Sequence, residues 1–180
     1  MKFLLVVLVM VTCTGAIAET ESTAIFRKGS WSVDFNYDPE DGSVWCSADT
    51  QRGEQALTFG LWDSGLLGIF VFDSNWDLRS RDVRFVVQID RRPAWEMSGH
   101  AEDQSVYIFP KPDSDLRRFL EEVMAGNILS VQNESRRRVA QFSLSGSYAA
   151  VVQLFDCFRK IENGARSRSD PFGPGSDPFN

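Results

Sequence analysis

The feature that most limits what this chain can fold into is a two-residue apolar alternation, restarted again and again after short clusters of turn residues. Trp31, Val33, Phe35 and Tyr37 fall on one side of an extended segment, and Ser32, Asp34 and Asn36 on the other. A period of two places successive side chains on opposite faces of a pleated strand, so the segment reads as a strand with one buried face. Asp38-Pro39-Glu40-Asp41-Gly42 follows, with proline fixing φ and glycine accepting φ above zero, and Ser43 to Ala48 returns with Val44, Cys46 and Ala48 on a shared face. Further strands are expected at Gln55 to Leu61, Leu66 to Phe72, Val83 to Ile89, Ala94 to Ser98 and Ser105 to Phe109, parted by Gly, Asp, Asn and Pro at intervals typical of antiparallel meanders. Leu66 to Phe72 is apolar on both faces and belongs at the centre of the sheet or beneath a helix.

The period then changes. Leu116, Phe119, Leu120, Val123 and Met124 recur at helical spacing, with Asp113 placed to cap the start and Gly126 to stop the end. Two strands follow near Ile128 to Val131 and Arg138 to Leu144, and Ser145 to Ile161 reads as a second helix. Its apolar stripe is Ala150, Val151, Leu154, Cys157, Phe158 and Ile161, opposite Ala149, Gln153, Asp156, Arg159 and Lys160. Ser147 is placed to cap its start and Gly164 to end it. The fold class expected is mainly β with two helices: an antiparallel, sandwich-like domain with the last helix packed on it.

Three segments divide the chain. Met1 to Ala18 has Lys2, an apolar run too short to span a bilayer, and Ala16-Ile17-Ala18 before Glu19, the pattern of a cleavable export signal. An uncleaved anchor and a lipidated Cys13 are the alternatives; Thr12 is poorly suited to precede a lipidated cysteine. Residues 19–162 make one globular domain, and 163–180 a tail poor in apolar residues in which Asp170-Pro171-Phe172 recurs as Asp177-Pro178-Phe179. A tail of that composition is expected to be disordered, with Phe172 and Phe179 as the side chains able to dock on a partner. Behind the leader no transmembrane segment is expected, and the protein is placed in the periplasm or outside the cell.

Cys46 and Cys157 are the cysteines left once the leader is gone. Each lies on the apolar side of its element, so a disulfide tying the last helix to the first hairpin is expected. Two buried free thiols or a redox pair are the alternatives, and no Cys-x-x-Cys supports the latter.

Charge and motif content narrow the function. With 19 basic residues against 25 acidic ones and a net charge of −6, the chain lacks the positive footprint of sequence-blind nucleic-acid binding. It has a single histidine, His100, in a segment that reads as a polar loop, and none of the usual nucleophile-elbow, phosphate-loop or dinucleotide motifs. No catalytic residue, metal site or cofactor is assigned, although a pair among so many carboxylates could meet across a cleft. The candidate binding residues are aromatic and basic. Trp62 and Trp76 fall where strands end, and Arg136, Arg137 and Arg138 could join Arg79, Arg81, Arg91 and Arg92 in a patch for an anionic envelope polymer or an acidic partner.

Phe142-Ser143-Leu144-Ser145-Gly146-Ser147-Tyr148-Ala149-Ala150, running on to Leu154 and Cys157, resembles the closing strand, Gly-Ser turn and helix of the invasion-associated locus B family. The resemblance implies a periplasmic or surface-associated β-sandwich implicated in host-cell invasion, without an assigned enzymatic activity. Its motif is one of packing, and it carries over no functional residue. Three roles stand in order: a non-catalytic exported binding protein that meets an envelope or surface protein, an exported inhibitor of a hydrolase, and an enzyme of carboxylate type.

Overall fold

The computed structural model describes residues 19–166. Ten antiparallel strands form one sheet, in the spatial order β1-β2-β3-β4-β5-β8-β7-β6-β9-β10. The strands are β1 (Glu21–Lys28), β2 (Trp31–Tyr37), β3 (Val44–Arg52), β4 (Gln55–Trp62), β5 (Leu67–Asp73), β6 (Leu78–Ile89), β7 (Trp95–Asp103), β8 (Ser105–Ile108), β9 (Ile128–Asn133) and β10 (Arg138–Ser143). Helix α1 (Ser114–Ala125) joins β8 to β9, and α2 (Ser147–Arg166) follows β10. The first five strands are a simple meander. The chain then crosses to β6, returns through β7 to lay β8 beside β5, and uses α1 to reach the far side of β6.

The alternation of the sequence becomes the two faces of this sheet. Val33, Ala48, Phe59 and Ile69 stand in one cross-strand row, and Trp31, Thr50, Leu57 and Val71 in the next, all on the inner face. The sheet curls so that β10 comes to lie over β3 and β4. Trp31 donates its indole N–H to the Ser143 carbonyl at 3.1 Å, and Gln55 donates to the Val139 carbonyl at 3.0 Å across that closure. The sandwich-like core is therefore enclosed by one continuous sheet folded over on itself. As its two-sided apolar character suggests, β5 occupies the middle of the sheet.

Helix α2 packs over β1 to β4 and against α1. The Cys46–Cys157 disulfide anchors it to β3, joining Cα atoms 6.2 Å apart across 111 residues of sequence. Asp113 caps α1 by accepting hydrogen bonds from the amides of Asp115 and Leu116 at 3.0 Å. Arg92, from the β6–β7 turn, donates to the carbonyls of Glu122 and Ala125 at the other end of α1. That helix has no basic residue in its own last turn, so the guanidinium supplies the compensating charge from outside.

Several expectations need correction. Ser147 does not cap α2: its buried hydroxyl donates to the Val123 carbonyl at 2.7 Å and ties the two helices together. Nor does α2 stop at Gly164 or give way to tail at Asn163. It runs to Arg166, because an exposed glycine costs a helix only about 1 kcal/mol and Glu162, Ala165 and Arg166 around it are good helix formers. β1 had no clear signal, being almost wholly exposed and held by backbone pairing to β2. β6 and β7 extend well beyond the expected Val83 to Ile89 and Ala94 to Ser98, through polar residues that pair as a long hairpin. His100 accordingly lies within strand β7 and not in a loop. Residues 1–18 and the tail side chains Phe172 and Phe179 lie outside the described residues.

Candidate functional site

Two surfaces gather the side chains able to bind something. The first is the outer face of β3, β4, β5 and β8. Trp45 and Trp62 are cross-strand partners whose rings stack at 6.1 Å, and Trp62 meets Phe70 at 6.1 Å and Phe109 at 6.0 Å. Phe70 and Phe109 both continue to Tyr107, which sits 5.6 Å from the His100 ring. Glycine makes this arrangement fit. A Cβ on Gly60 would lie 2.9 Å from the Trp62 ring, and one on Gly68 would lie 2.6 Å from Phe70 and 2.9 Å from Phe109. The large rings thus lie down over residues with no side chain, close to the sheet and partly covering one another, while Phe109 keeps 47% of its surface exposed.

Beside the rings runs a polar network on the same face. Asn36 donates to Ser47, and Ser47 and Thr58 donate their hydroxyl protons to the two oxygens of Asp49. Burial raises the Asp49 pKa above the usual carboxylate value, and the negative charge of nearby Asp34 adds to the rise; the Thr58 and Ser47 hydrogen bonds oppose it.

The second surface is a cleft of about 1,100 Å³ bordered by β6, β7, β8 and the β9–β10 turn. Apolar side chains line much of it, among them Trp76, Val83, Phe85, Val106, Val131 and Val139. Its charged lining consists of Arg81, Asp82, Arg84, Glu134 and Arg137, with His100 beside them. Arg84 pairs with Glu134 at 3.2 Å. His100 is held between two residues of β6, with Nδ1 3.0 Å from Asp82 and Nε2 3.0 Å from the Ser80 hydroxyl.

The basic and aromatic candidates are therefore split among sites. Trp62 belongs to the outer aromatic face, while Trp76 and Arg137 line the cleft. Arg136, in the left-handed backbone region at φ 59°, turns away to pair with Glu96 at 2.9 Å. Arg138 opens β10 as an exposed residue, and Arg92 is committed to α1. Of the arginines expected to share one patch, Arg81 and Arg137 are the pair that shares the cleft. Sequence reasoning missed Ser80 and Asp82 as neighbours of His100. Their spacing of two puts both on one face of a strand, but nothing in the sequence announces that β6 begins so early or faces His100.

Among the described residues no group of three or more metal-ligating side chains comes together, and no helix is long and apolar enough to cross a membrane. Comparison with protein-family models, with curated proteins and with solved structures found no match for this chain.

Proposed function

We propose that the protein is a non-catalytic, exported, envelope-associated binding protein that docks its partner on the outer aromatic face. The observation that carries this reading is the unbroken run of rings from Trp45 through Trp62, Phe70 and Phe109 to Tyr107, seated over Gly60 and Gly68 on a face that neither α1 nor α2 covers. Aromatic side chains concentrate much contact area at small entropic cost, the property of interface anchors. Export is supported by the leader-like first 18 residues and by the Cys46–Cys157 bond, which persists in oxidising compartments. The likeness of residues 142–157 to the invasion-associated locus B family is in keeping with an envelope role.

The test is capture from envelope extract by the immobilised exported protein, compared with a variant carrying Trp62→Ala and Phe109→Ala. The reading expects a partner held by the parent and lost by a variant that still melts cooperatively. Equal capture by both would refute the aromatic face, and a stoichiometric hydrolase among the captured proteins would turn the reading into that of an inhibitor.

A second reading rests on the Ser80, His100 and Asp82 relay, whose two contacts have the atom pairing of a serine nucleophile, its base and an orienting acid. It ranks below the first because the Asp82 side chain is 97% exposed, where water weakens the electrostatic contribution that an orienting acid must supply. Covalent labelling of Ser80 by a fluorophosphonate, abolished in His100→Ala, would reverse the ranking.

A further inference from the structure

We propose that the cleft between β6, β7, β8 and the β9–β10 turn binds a monomeric long-chain carboxylate, its hydrocarbon chain against the apolar lining and its head group on Arg81 and Arg137. This cleft borders the aromatic docking face, sharing Tyr107 and Phe109 with it, but Trp45, Trp62 and Phe70 lie outside it. At about 1,100 Å³ the cleft is slightly larger than the roughly 300–1,000 Å³ of most small-molecule sites, which are concave and mostly apolar with a few polar groups to fix orientation. Val71, Phe85 and Val131 are 3%, 8% and 3% exposed and form its floor, and half-buried Val83, Val106 and Val139 form its walls. These residues come from the inner face of the sheet, the face that α2 covers farther along at β1 to β4 and leaves open here.

Charge selects among the molecules that could lie on such a floor. Arg84 is paired with Glu134, and Asp82, adjacent to Arg81 and therefore on the opposite face of β6, is in contact with His100 Nδ1. Arg81 and Arg137 have no carboxylate within ion-pair distance among the described residues; the Arg81 guanidinium donates to the Arg79 carbonyl. Arg81 shares the inner face with Val83, two residues along β6, so one cation is aligned directly with the apolar wall. Two guanidinium groups without a carboxylate partner line one cleft in a chain of net charge −6, and their planar forks suit a carboxylate. A neutral apolar ligand would leave both cations unused, while a polyanionic chain would leave the apolar floor bare. A single-chain carboxylate uses both.

The experiment titrates the full exported chain with saturated carboxylates of ten, twelve and fourteen carbons, each below its aggregation concentration, and with the alcohols of equal length. The variants are Arg81→Gln with Arg137→Gln, both at exposed positions, and Trp62→Ala as a control on the other face. One carboxylate is expected to bind per chain, tightening roughly two- to fourfold per added methylene as chain is buried. Each carboxylate should bind at least ten times more tightly than its alcohol, and the arginine variant should abolish that preference. Methyl resonances of Val83, Val106 and Val139 should shift on binding. Absence of saturable binding, equal affinity for acid and alcohol, shifts confined to the aromatic face, or binding to anionic vesicles alone would each overturn the proposal. Because Trp62→Ala should leave carboxylate binding intact and the arginine variant should leave partner capture intact, the two readings fail independently.

Discussion

Replacing both Cys46 and Cys157 by alanine should be the most damaging change of equivalent size in this protein. The bond closes a loop across 111 residues, for which chain entropy assigns about 4.7 kcal/mol by comparison with a 100-residue loop. Both residues are buried, at 0% and 4% exposure between β3 and α2, so losing the two sulfur atoms adds a packing cost of about 1 kcal/mol, at the low end of about 0.5–1.5 kcal/mol for each lost methyl-sized group. A total near 5 to 6 kcal/mol is comparable to the whole stability of many domains, and at roughly 2 to 4 °C per kcal/mol it corresponds to a fall of about 10 to 20 °C in Tm. The assay is calorimetry with urea unfolding of the oxidised protein, the same protein reduced, and the double alanine variant. If the stabilisation comes mainly from constraining the unfolded chain, reduction should also steepen the urea dependence, because the freed chain exposes more surface on unfolding. The reduced protein and the alanine variant should then agree within about 1 kcal/mol. A reduced Tm within a few degrees of the oxidised one would refute the reasoning, as would two free thiols in protein recovered after native export.

Carboxylates should set opposite pH trends. The Asp49 pKa is raised on folding by burial, so its contribution is most favourable below the unfolded pKa and is lost as pH rises through the folded value. At Asp90 burial opposes ionisation but is outweighed by hydrogen bonds from the Asn127 and Ile128 amides and the Asn127 side chain, helped by Arg92; its lowered pKa contributes stability at neutral pH that disappears as pH falls through the folded value. Carboxyl NMR titration should place Asp49 above and Asp90 below the aspartate reference, and the reverse order would contradict the assignment. Gly99→Ala should cost more than Gly60→Ala, about 3 against 1 kcal/mol, because its new methyl would meet the Tyr107 carbonyl at 2.5 Å where the other meets the edge of the Trp62 ring; urea unfolding decides the order. Removing residues 167–180 should leave Tm nearly unchanged, since a segment so poor in apolar residues cannot offset the entropy of ordering it. A fall of many degrees would show that the tail packs on the domain.

What the sequence made legible was whatever one element decides by itself. The α1 boundaries follow from Asp113 and Gly126, and the inward face of α2 from the spacing of Leu154 and Cys157, because caps and apolar periodicity act within a few residues. β1 and the first half of β6 stayed hidden for the opposite reason. Leu78 to Asp82 buries little and becomes a strand because β7 offers it backbone partners, so its structure is decided by another part of the chain.

The candidate sites were less legible still, because a site is a statement about distance between elements. Alternation says that Arg81 and Val83 share a face, yet the cleft also needs Arg137 and Val139, which reach it through the crossover that sets β9 against β6. Trp62 could be singled out by type, but its platform depends on a register that puts Trp45 opposite it and Gly60 beneath it. A slip of one residue between β3 and β4 would send Trp62 toward the core and Leu61 outward, destroying the aromatic face and the hydrophobic core together. Core packing therefore holds the aromatic face in place. A Trp62→Ala variant should therefore retain its fold and, if the proposed docking holds, lose capture of a partner, whereas a change at buried Leu61 or Phe59 should lose both.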